Sequence, residues 1–211
     1  MASGSEPAVP ATGLGPPRQL RPGDLATAVP AIARAFSWHE PWGAWVLPDE
    51  ASRERTLAAR IEADIRERFL AAGECWTIGA VCVTLWIPPP SEPGAAVFAS
   101  RRSAADYEVY GDRGEALREA DSRLAELLPA EPHWYLDTIA TDPGWHGRGL
   151  GGRLLDHDLA IRDARGHACA LDTHTAENVG FYRRRGFEVL ASERLPDGGP
   201  DLHVLYRPPR G

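Results

Sequence analysis

The sequence predicts a single α+β domain in which one mixed sheet has helices on both sides. Segments typical of strands and segments with helical spacing of apolar residues follow one another in mixed order, which favours that class of fold. The 211 residues suit one domain with a sizeable core, and no repeat or linker divides them. We therefore expect one domain over residues 18–211, preceded by a tail of residues 1–17.

The tail is dominated by Ala, Gly, Pro and Ser and carries one Glu. Such a composition buries little apolar surface, so we expect the tail to be disordered. It lacks the cationic start and the apolar centre of a secretory signal. The chain also has no run of about 18 apolar residues, the length that spans a membrane. We therefore expect a cytoplasmic protein without a membrane partner.

The first half of the domain has the pattern of a short strand, two helices and two further strands. Asp24 is a candidate N-cap for the first helix, which Pro30 kinks or delays. Asp49 opens the second helix, and an aromatic loop at residues 36–45 lies between the two. The predicted strands are residues 19–21, 75–78 and 81–87.

The second half begins with a helical pattern that contains Leu117, Leu124 and Leu128 and stops before Pro129. After it, strands and helices alternate. The predicted strands are residues 134–141, 168–173, 187–191 and 202–207, and the predicted helices are residues 149–165 and 177–185.

The net charge of the chain bears on which partners it can bind. The formal net charge is −7, which disfavours a nucleic-acid partner because such proteins need a basic face. A cationic amine substrate is compatible with it. All 23 basic residues are arginine, so no lysine can form a Schiff base or anchor a phosphate.

The three cysteines, Cys75, Cys82 and Cys169, lie in apolar stretches. An odd count in a cytosolic chain argues against a disulfide framework. No CxxC pair is present, so we expect no zinc site and no other metal. The cysteines are expected to be small buried apolar residues.

The most informative segment is the glycine-rich stretch of residues 142–152, which follows a predicted strand and leads into a predicted helix. Glycines allow backbone N–H groups to approach an anion, and the start of a helix adds a favourable dipole. Arg148 adds a positive charge. The pattern therefore predicts a pyrophosphate site, against the alternative of a glycine-rich turn without a ligand.

Three nucleotide-binding motifs compete for this stretch. A P-loop requires Lys and then Ser or Thr after its second glycine, whereas Leu and Gly follow here. The dinucleotide pattern GxGxxG is matched by Gly147, Gly149 and Gly152, with Asp172 about 20 positions further on. Two facts weaken it, since the strand ends several residues too early and too few residues follow Asp172 to complete a dinucleotide-binding domain.

The third motif is the coenzyme A loop of the GNAT N-acetyltransferases, (Gln/Arg)-x-x-Gly-x-(Gly/Ala). The stretch from His146 to Gly151 resembles it, with His146 where the family usually has Gln or Arg. Residues 178–187, Asn-Val-Gly-Phe-Tyr-Arg-Arg-Arg-Gly-Phe, resemble the second GNAT signature, and Tyr182 is its tyrosine. Within the superfamily the chain most resembles the puromycin N-acetyltransferases, from about residue 18 to its end and closely over residues 131–187.

This resemblance implies a GNAT fold, with a mixed, mostly antiparallel central sheet flanked by helices on both sides. It also implies acetyl-CoA as the acetyl donor, and a strand of residues 139–141 that separates from its neighbour to pair with the pantetheine arm. Tyr182 would donate its phenolic proton to the departing sulfur. The implied coenzyme-binding residues are Ile139, Ala140, Thr141, His146, Gly147, Arg148, Gly149, Leu150, Gly151, Gly152, Asn178 and Tyr182.

The base that takes the proton from the amine is a carboxylate in two alternatives. Asp172 is the first, because the puromycin N-acetyltransferases have a carboxylate at the matching position, and Asp137 is the second. Strand alternation predicts that Asp172 and His174 share one face, and that Tyr135, Asp137 and Ile139 share one face of the neighbouring strand. A cap or ion pair for Asp172 and an exposed loop position for His174 stay open.

The aromatic loop also has two interpretations. Its side chains either pack in the core or form a stacking wall for a flat aromatic or nucleoside-like amine. In the second interpretation the substrate-binding residues are Phe36, Trp38, His39, Trp42, Trp45 and Asp137.

The sequence thus favours an N-acetyltransferase that acts on a primary amine of a small molecule, either antibiotic-like or aromatic, by direct attack on the thioester. Two alternatives remain: an acetyltransferase for a protein N-terminus or a polyamine, and a non-catalytic acyl-CoA-binding protein. A monomer or a homodimer is expected.

Overall fold

The computed structural model describes residues 11–38, 40–72, 74–98, 102 and 104–210. Within this part of the chain, seven strands form one sheet in the order β1-β2-β3-β4-β5-β7-β6. The strands are β1 (Arg18–Gln19), β2 (Cys75–Ile78), β3 (Cys82–Ile87), β4 (Trp134–Thr141), β5 (Cys169–Thr173), β6 (Glu188–Arg194) and β7 (Asp201–Arg207). Among these described strands, only β4 and β5 pair in parallel. The predicted α+β class with a mixed, mostly antiparallel sheet is therefore confirmed.

Helices cover both faces of this sheet. One face carries α1 (Leu25–Trp38), α2 (Pro41–Val46), α3 (Glu50–Asp64) and α6 (Gly114–Leu127), and the other carries α7 (Leu150–Asp163) and α8 (Ala176–Arg183). Two short helices are α4 (Leu70–Ala72), which continues a π-helical turn at Ile65–Phe69, and α5 (Ala104–Glu108). Single 3₁₀ turns lie at Ala11–Leu14, Pro22–Asp24, Ala95–Phe98, Gly111–Arg113 and Pro143–Trp145.

The parallel strands β4 and β5 stay together for only three residue pairs. Trp134–Leu136 pair with Cys169–Leu171, and from there the strands separate. The remainder of β4 continues beside β3, while Asp172 and Thr173 pair with β7. The separation opens a cleft at the carboxyl ends of both strands, as the sequence resemblance implies.

A β-bulge at Asp137 corrects one prediction about the faces of β4. Trp86 pairs with Leu136 but Leu85 pairs with Thr138, so Asp137 is an extra residue without a partner on β3. Beyond the bulge, the side chains of β4 point to the opposite faces of the sheet from those that regular alternation predicts. Tyr135 packs towards α2 and α6, whereas Ile139 packs with the α7 face, so the two do not share a face.

Three further details differ from the sequence predictions. The aromatic loop contains α2, and α1 begins at Leu25 and continues through Pro30. Within the predicted tail, Ala11–Leu14 form a 3₁₀ turn and Leu14 packs against the cluster of Ile78 and Leu150, while residues 1–10 lie outside the described residues. Asp49 caps α3 as predicted, accepting a hydrogen bond of 3.3 Å from Ala51 N. Among the described helices, none is long and apolar enough to cross a membrane.

Candidate active site

The cleft between β4 and β5 holds a cavity of about 490 Å³, called here the larger cavity. The glycine-rich loop forms one wall of it. Gly147 and Gly149 both have φ +72°, a conformation that side-chain-bearing residues rarely adopt. A Cβ built at either glycine meets no atom within 4 Å, so open space borders the loop on that side at the start of α7. This arrangement fits a pyrophosphate.

Local contacts hold the loop in place. Asp142 Oδ1 accepts a hydrogen bond of 2.9 Å from Gly144 N, and Arg34 of α1 pairs with the same carboxylate. His146 Nε2 lies 2.8 Å from Thr141 O, so the side chain that departs from the family motif ties the loop to β4. The larger cavity is lined by every residue predicted to bind the coenzyme, namely Ile139, Ala140, Thr141, His146, Gly147, Arg148, Gly149, Leu150, Gly151, Gly152, Asn178 and Tyr182.

Tyr182 lies on α8 and is 5 % exposed. Burial, together with the negative charges of Glu40 and Asp172, raises the pKa of its phenol above the usual range. The hydroxyl therefore stays protonated at neutral pH and can act as a proton donor towards the cavity that it lines. Asn178, one turn earlier, donates its backbone N–H to Thr175 Oγ1 at 3.2 Å, which caps α8.

A second cavity, of about 140 Å³, lies on the α1, α3 and α6 side of the sheet and is called here the smaller cavity. Phe36, Trp42 and Tyr110 line it, and Trp42 contacts the other two rings edge to face, with ring centroids 6.2 Å from Phe36 and 6.4 Å from Tyr110. Tyr110 is not among the predicted wall residues, because it lies far along the chain from the aromatic loop of residues 36–45.

Two of the predicted wall residues lie elsewhere, which corrects that prediction. Trp38 is 63 % exposed at the end of α1, and Trp45 is 7 % exposed in the core beside Leu195 and Leu202. Among the described residues, neither lines the larger or the smaller cavity. The short helix α2 is the reason, since it turns Trp42 inwards and buries Trp45 behind it. His39 lies outside the described residues.

The smaller cavity also carries charged side chains that sequence reasoning missed. Arg60 pairs with Asp106 at 2.6 Å, and Arg102 pairs with Asp121. Burial raises the pKa of Asp64, with Arg60 opposing this effect. Each ion pair joins separate segments, Arg60 of α3 to Asp106 of α5 and Arg102 to Asp121 of α6, so no local sequence motif indicates them.

The two cavities meet at four shared residues, Phe36, Asp137, Asp172 and His174. Both predicted base candidates therefore lie at the junction, Asp137 on the bulge of β4 and Asp172 near the end of β5. In the part of the chain that the structure describes, no cluster of His, Cys, Asp and Glu is arranged to hold a metal ion.

Asp172 is the centre of a hydrogen-bonded group that sequence reasoning found only in part. The Tyr135 hydroxyl donates to Asp172 Oδ1, and His174 Nε2 lies 3.5 Å from Asp172 Oδ2. His174 Nδ1 lies 3.1 Å from Glu40 Oε1, and the His174 side chain is only 12 % exposed. His174 is thus no exposed loop residue. Glu40 precedes α2, and its contact with a residue 134 positions away has no sequence signal.

The comparisons with known proteins agree with this geometry. Residues 111–189 match the family model described as the acetyltransferase (GNAT) domain. The peptidyl-lysine N-acetyltransferase YjaB of Salmonella typhimurium is 26% identical over 109 residues, which are 42% of this chain and 74% of that protein. Its namesake from Escherichia coli is 31% identical over 98 residues, 43% of this chain and 61% of that protein.

Among solved structures, that of histone acetyltransferase HPA2 and related acetyltransferase from Corynebacterium glutamicum has a TM-score of 0.67 and 25% identity. The similarity covers 93% of this chain and 97% of that one. The described chain therefore has the GNAT fold, its residues 111–189 match the acetyltransferase (GNAT) domain, and the protein is an acyltransferase whose acetyl donor is acetyl-CoA.

Proposed function

We propose that the protein transfers the acetyl group of acetyl-CoA to a primary amine of a small molecule by direct attack of the amine on the thioester. The observation that carries this proposal is the junction of the cavities. A cavity shaped for the coenzyme meets a cavity with aromatic walls at Asp137 and Asp172. Bringing the two reactants into line in this way lowers the barrier of a bimolecular reaction.

The larger cavity is the site for the acetyl donor, acetyl-CoA. The N–H groups of Gly147, Gly149 and Gly151 hold the pyrophosphate at the start of α7, and Arg148 adds positive charge. The part of β4 that has left β5, residues 139–141, pairs with the pantetheine amides as an added strand would. Asn178 bonds the pantetheine from α8.

Two side chains handle protons in the transfer. Asp172 takes the proton from the attacking nitrogen as the carbon–nitrogen bond forms, and Asp137, at the same junction, is the alternative base. As the carbon–sulfur bond breaks, Tyr182 gives its proton to the sulfur. Tyr182 lines the larger cavity and holds its proton at neutral pH, as a proton donor must.

The acceptor side favours a small amine with a flat apolar part. Phe36 and Trp42 present aromatic faces and edges to the smaller cavity, which suits stacking of a ring. The sequence resemblance to puromycin N-acetyltransferases supports an antibiotic-like or nucleoside-like amine. The volume of the smaller cavity, about 140 Å³, disfavours a whole peptide segment, which would need a longer groove.

A protein acceptor is the second candidate, because the two relatives above are named peptidyl-lysine N-acetyltransferases. In that case the acceptor lysine side chain alone enters the smaller cavity. Trp38, which is exposed two residues after the cavity-lining Phe36, would then contact the peptide outside the smaller cavity.

The experiment that decides between these candidates measures thiol release from acetyl-CoA with a panel of amines. The panel contains puromycin, other aminonucleosides, arylalkylamines, polyamines and lysine-containing peptides, and mass spectrometry verifies each acetylated product. Turnover of one aromatic small amine far above the peptides supports the first candidate, and the reverse order supports the second. Tight acetyl-CoA binding with no turnover on any acceptor contradicts both.

A further inference from the structure

A chain of polar side chains leads from the cavity junction to Glu40. It begins at Tyr135, whose hydroxyl donates to Asp172, and continues to His174, whose Nε2 lies 3.5 Å from Asp172 Oδ2. It ends with the 3.1 Å contact between His174 Nδ1 and Glu40 Oε1. The His174 and Glu40 side chains are 12 % and 16 % exposed, and both line the larger cavity. One imidazole thus bridges two carboxylates at the reacting end of the site.

We propose that His174 and Glu40 form a proton-relay pair, in which His174 receives the amine proton from Asp172 while Glu40 orients the imidazole through its Nδ1–H. This inference rests on the proposed function and assigns roles to two residues that lie outside the two sequence motifs. Asp172 contacts the amine, so it is the base, and the pair acts through Asp172.

The proton balance of the relay is complete. His174 begins neutral, with its hydrogen on Nδ1 facing Glu40 and its Nε2 lone pair facing Asp172. When the amine nitrogen bonds to the carbonyl carbon, its proton moves to Asp172 and then to His174 Nε2. The electron pair of the carbon–sulfur bond goes to sulfur, which takes the proton of Tyr182. Return of the extra proton from His174 through water to the Tyr182 phenolate restores the starting state.

The electrostatics of the group favour this direction of transfer. Burial alone lowers the pKa of His174, but the hydrogen bond with Glu40 and the charges of Asp172 and Glu40 outweigh it, so the pKa is raised above its ordinary value. The imidazolium is therefore stabilised where the proton arrives. The titratable groups around His174 are Glu40 before α2, Asp172 on β5, Asp137 on β4 and Tyr182 on α8.

The raised pKa of His174 sets the direction in which kcat/KM depends on pH. Below the raised pKa, His174 already holds the proton and cannot accept another, so kcat/KM falls as the pH is lowered through that value. Removal of the Glu40 charge lowers the His174 pKa and moves this acidic limb to lower pH. The ionisation of the acceptor amine also shapes the profile, but it is the same for every variant assayed with one acceptor.

The test compares pH profiles of kcat/KM for the wild type, His174→Gln and Glu40→Gln. We expect His174→Gln to lower kcat about 100-fold with unchanged acetyl-CoA affinity, and Glu40→Gln to shift the acidic limb downwards. Glu177→Gln is the matched control, because Glu177 is exposed in the first turn of α8, lines neither cavity and loses the same charge. If Glu40→Gln does not fold, Glu40→Asp should give a shift in the same direction, since its shorter side chain weakens the hydrogen bond.

A second readout does not depend on turnover. Imidazole carbon–proton NMR signals, with His174 identified by its loss in His174→Gln, give the His174 pKa directly. We expect it to lie above that of an exposed histidine in the wild type and to fall in Glu40→Gln but not in Glu177→Gln. An unchanged pKa and acidic limb in Glu40→Gln, or full kcat in His174→Gln, would overturn the relay.

Failure of the relay is distinguishable from failure of the proposed function. If Asp172→Asn and Tyr182→Phe lose turnover while His174→Gln and Glu40→Gln match the wild type, the acetyl transfer stands and the relay is wrong. If the wild type acetylates no amine at all, the proposed function fails, and with it the relay.

Discussion

The carboxylate of Asp158 is fully buried in α7 and accepts a hydrogen bond of 2.8 Å from the indole nitrogen of Trp86 on β3. Thr84 Oγ1 donates to the same oxygen at 2.5 Å, and His157 Nδ1 lies 3.0 Å from the other oxygen. This contact fixes α7, whose first turn bears the glycine-rich loop, to the sheet. The coenzyme cleft is therefore supported by a buried carboxylate that accepts hydrogen bonds from two side chains of β3.

We predict that Asp158→Ala lowers the free energy of unfolding by about 3 kcal/mol. The reason is that the buried Thr84 hydroxyl and Trp86 indole N–H lose their hydrogen-bond acceptor. Thermal unfolding followed by circular dichroism should show a fall in Tm of roughly 10 °C. Asp156→Ala is the control, since Asp156 is 61 % exposed and pairs with Arg185 at the surface, where such a pair contributes at most about 1 kcal/mol. Equal losses in the two variants would contradict this account.

Tyr182→Phe should lower kcat by about 100-fold and leave the Kd for acetyl-CoA unchanged. The phenol has a raised pKa, so it is protonated throughout the usual assay range and its removal deletes a proton donor. Stopped or continuous thiol assays give kcat, and calorimetry gives the Kd. Tyr206→Phe, on β7 and outside both cavities, is the control. Full turnover in Tyr182→Phe would remove this residue from the mechanism.

Gly149→Ala should weaken acetyl-CoA binding and also lower stability by about 1 kcal/mol, because a residue with Cβ is strained at positive φ. Gly166→Ala is a matched control with φ +67° against +72°, and its Cβ also meets no atom within 4 Å. Gly166 follows α7 at the end far from the larger cavity. We expect similar losses of Tm in both variants and a raised Kd for acetyl-CoA in Gly149→Ala alone. A raised Kd in both would show that strain, and not the site, is responsible.

Trp42→Ala should raise the KM for the acceptor amine about 10-fold, because the ring loses an apolar contact in the smaller cavity. Trp38→Ala should leave that KM unchanged, since Trp38 is 63 % exposed and lines neither cavity. Steady-state assays at saturating acetyl-CoA measure both. A larger effect at Trp38 would favour the peptide acceptor, for which a surface contact outside the cavity matters.

The three cysteines should be unreactive in the native protein. All are free and buried, and burial raises the thiol pKa to about 12 for Cys75 and Cys169 and to about 11 for Cys82. Because the thiolate is the reactive form, a disulfide reagent at pH 8 should label no thiol before denaturation and three after it. Rapid labelling of the native protein would contradict the burial of these side chains. The expected result also means that the protein adds no background to thiol-release assays.

The sequence by itself determined the elements that local chemistry encodes. The strand Trp134–Thr141 was predicted to the residue, and the glycine-rich loop, α7 and α8 to within a few residues. Each of these depends on contiguous residues, namely a run of strand-forming side chains, glycines that permit positive φ, and apolar residues at helical spacing. The coenzyme-facing residues follow from them, because their positions are set by the backbone of one loop and two neighbouring elements.

Only the tertiary structure decided the acceptor side and the group around Asp172. Whether Trp42 or Trp38 faces the cavity depends on the turn into α2, and the face of Ile139 depends on a one-residue bulge against β3. The contact between Glu40 and His174 joins residues 134 positions apart. Such features arise when distant elements pack, because burial and register then select among side-chain directions that the local sequence leaves equally open.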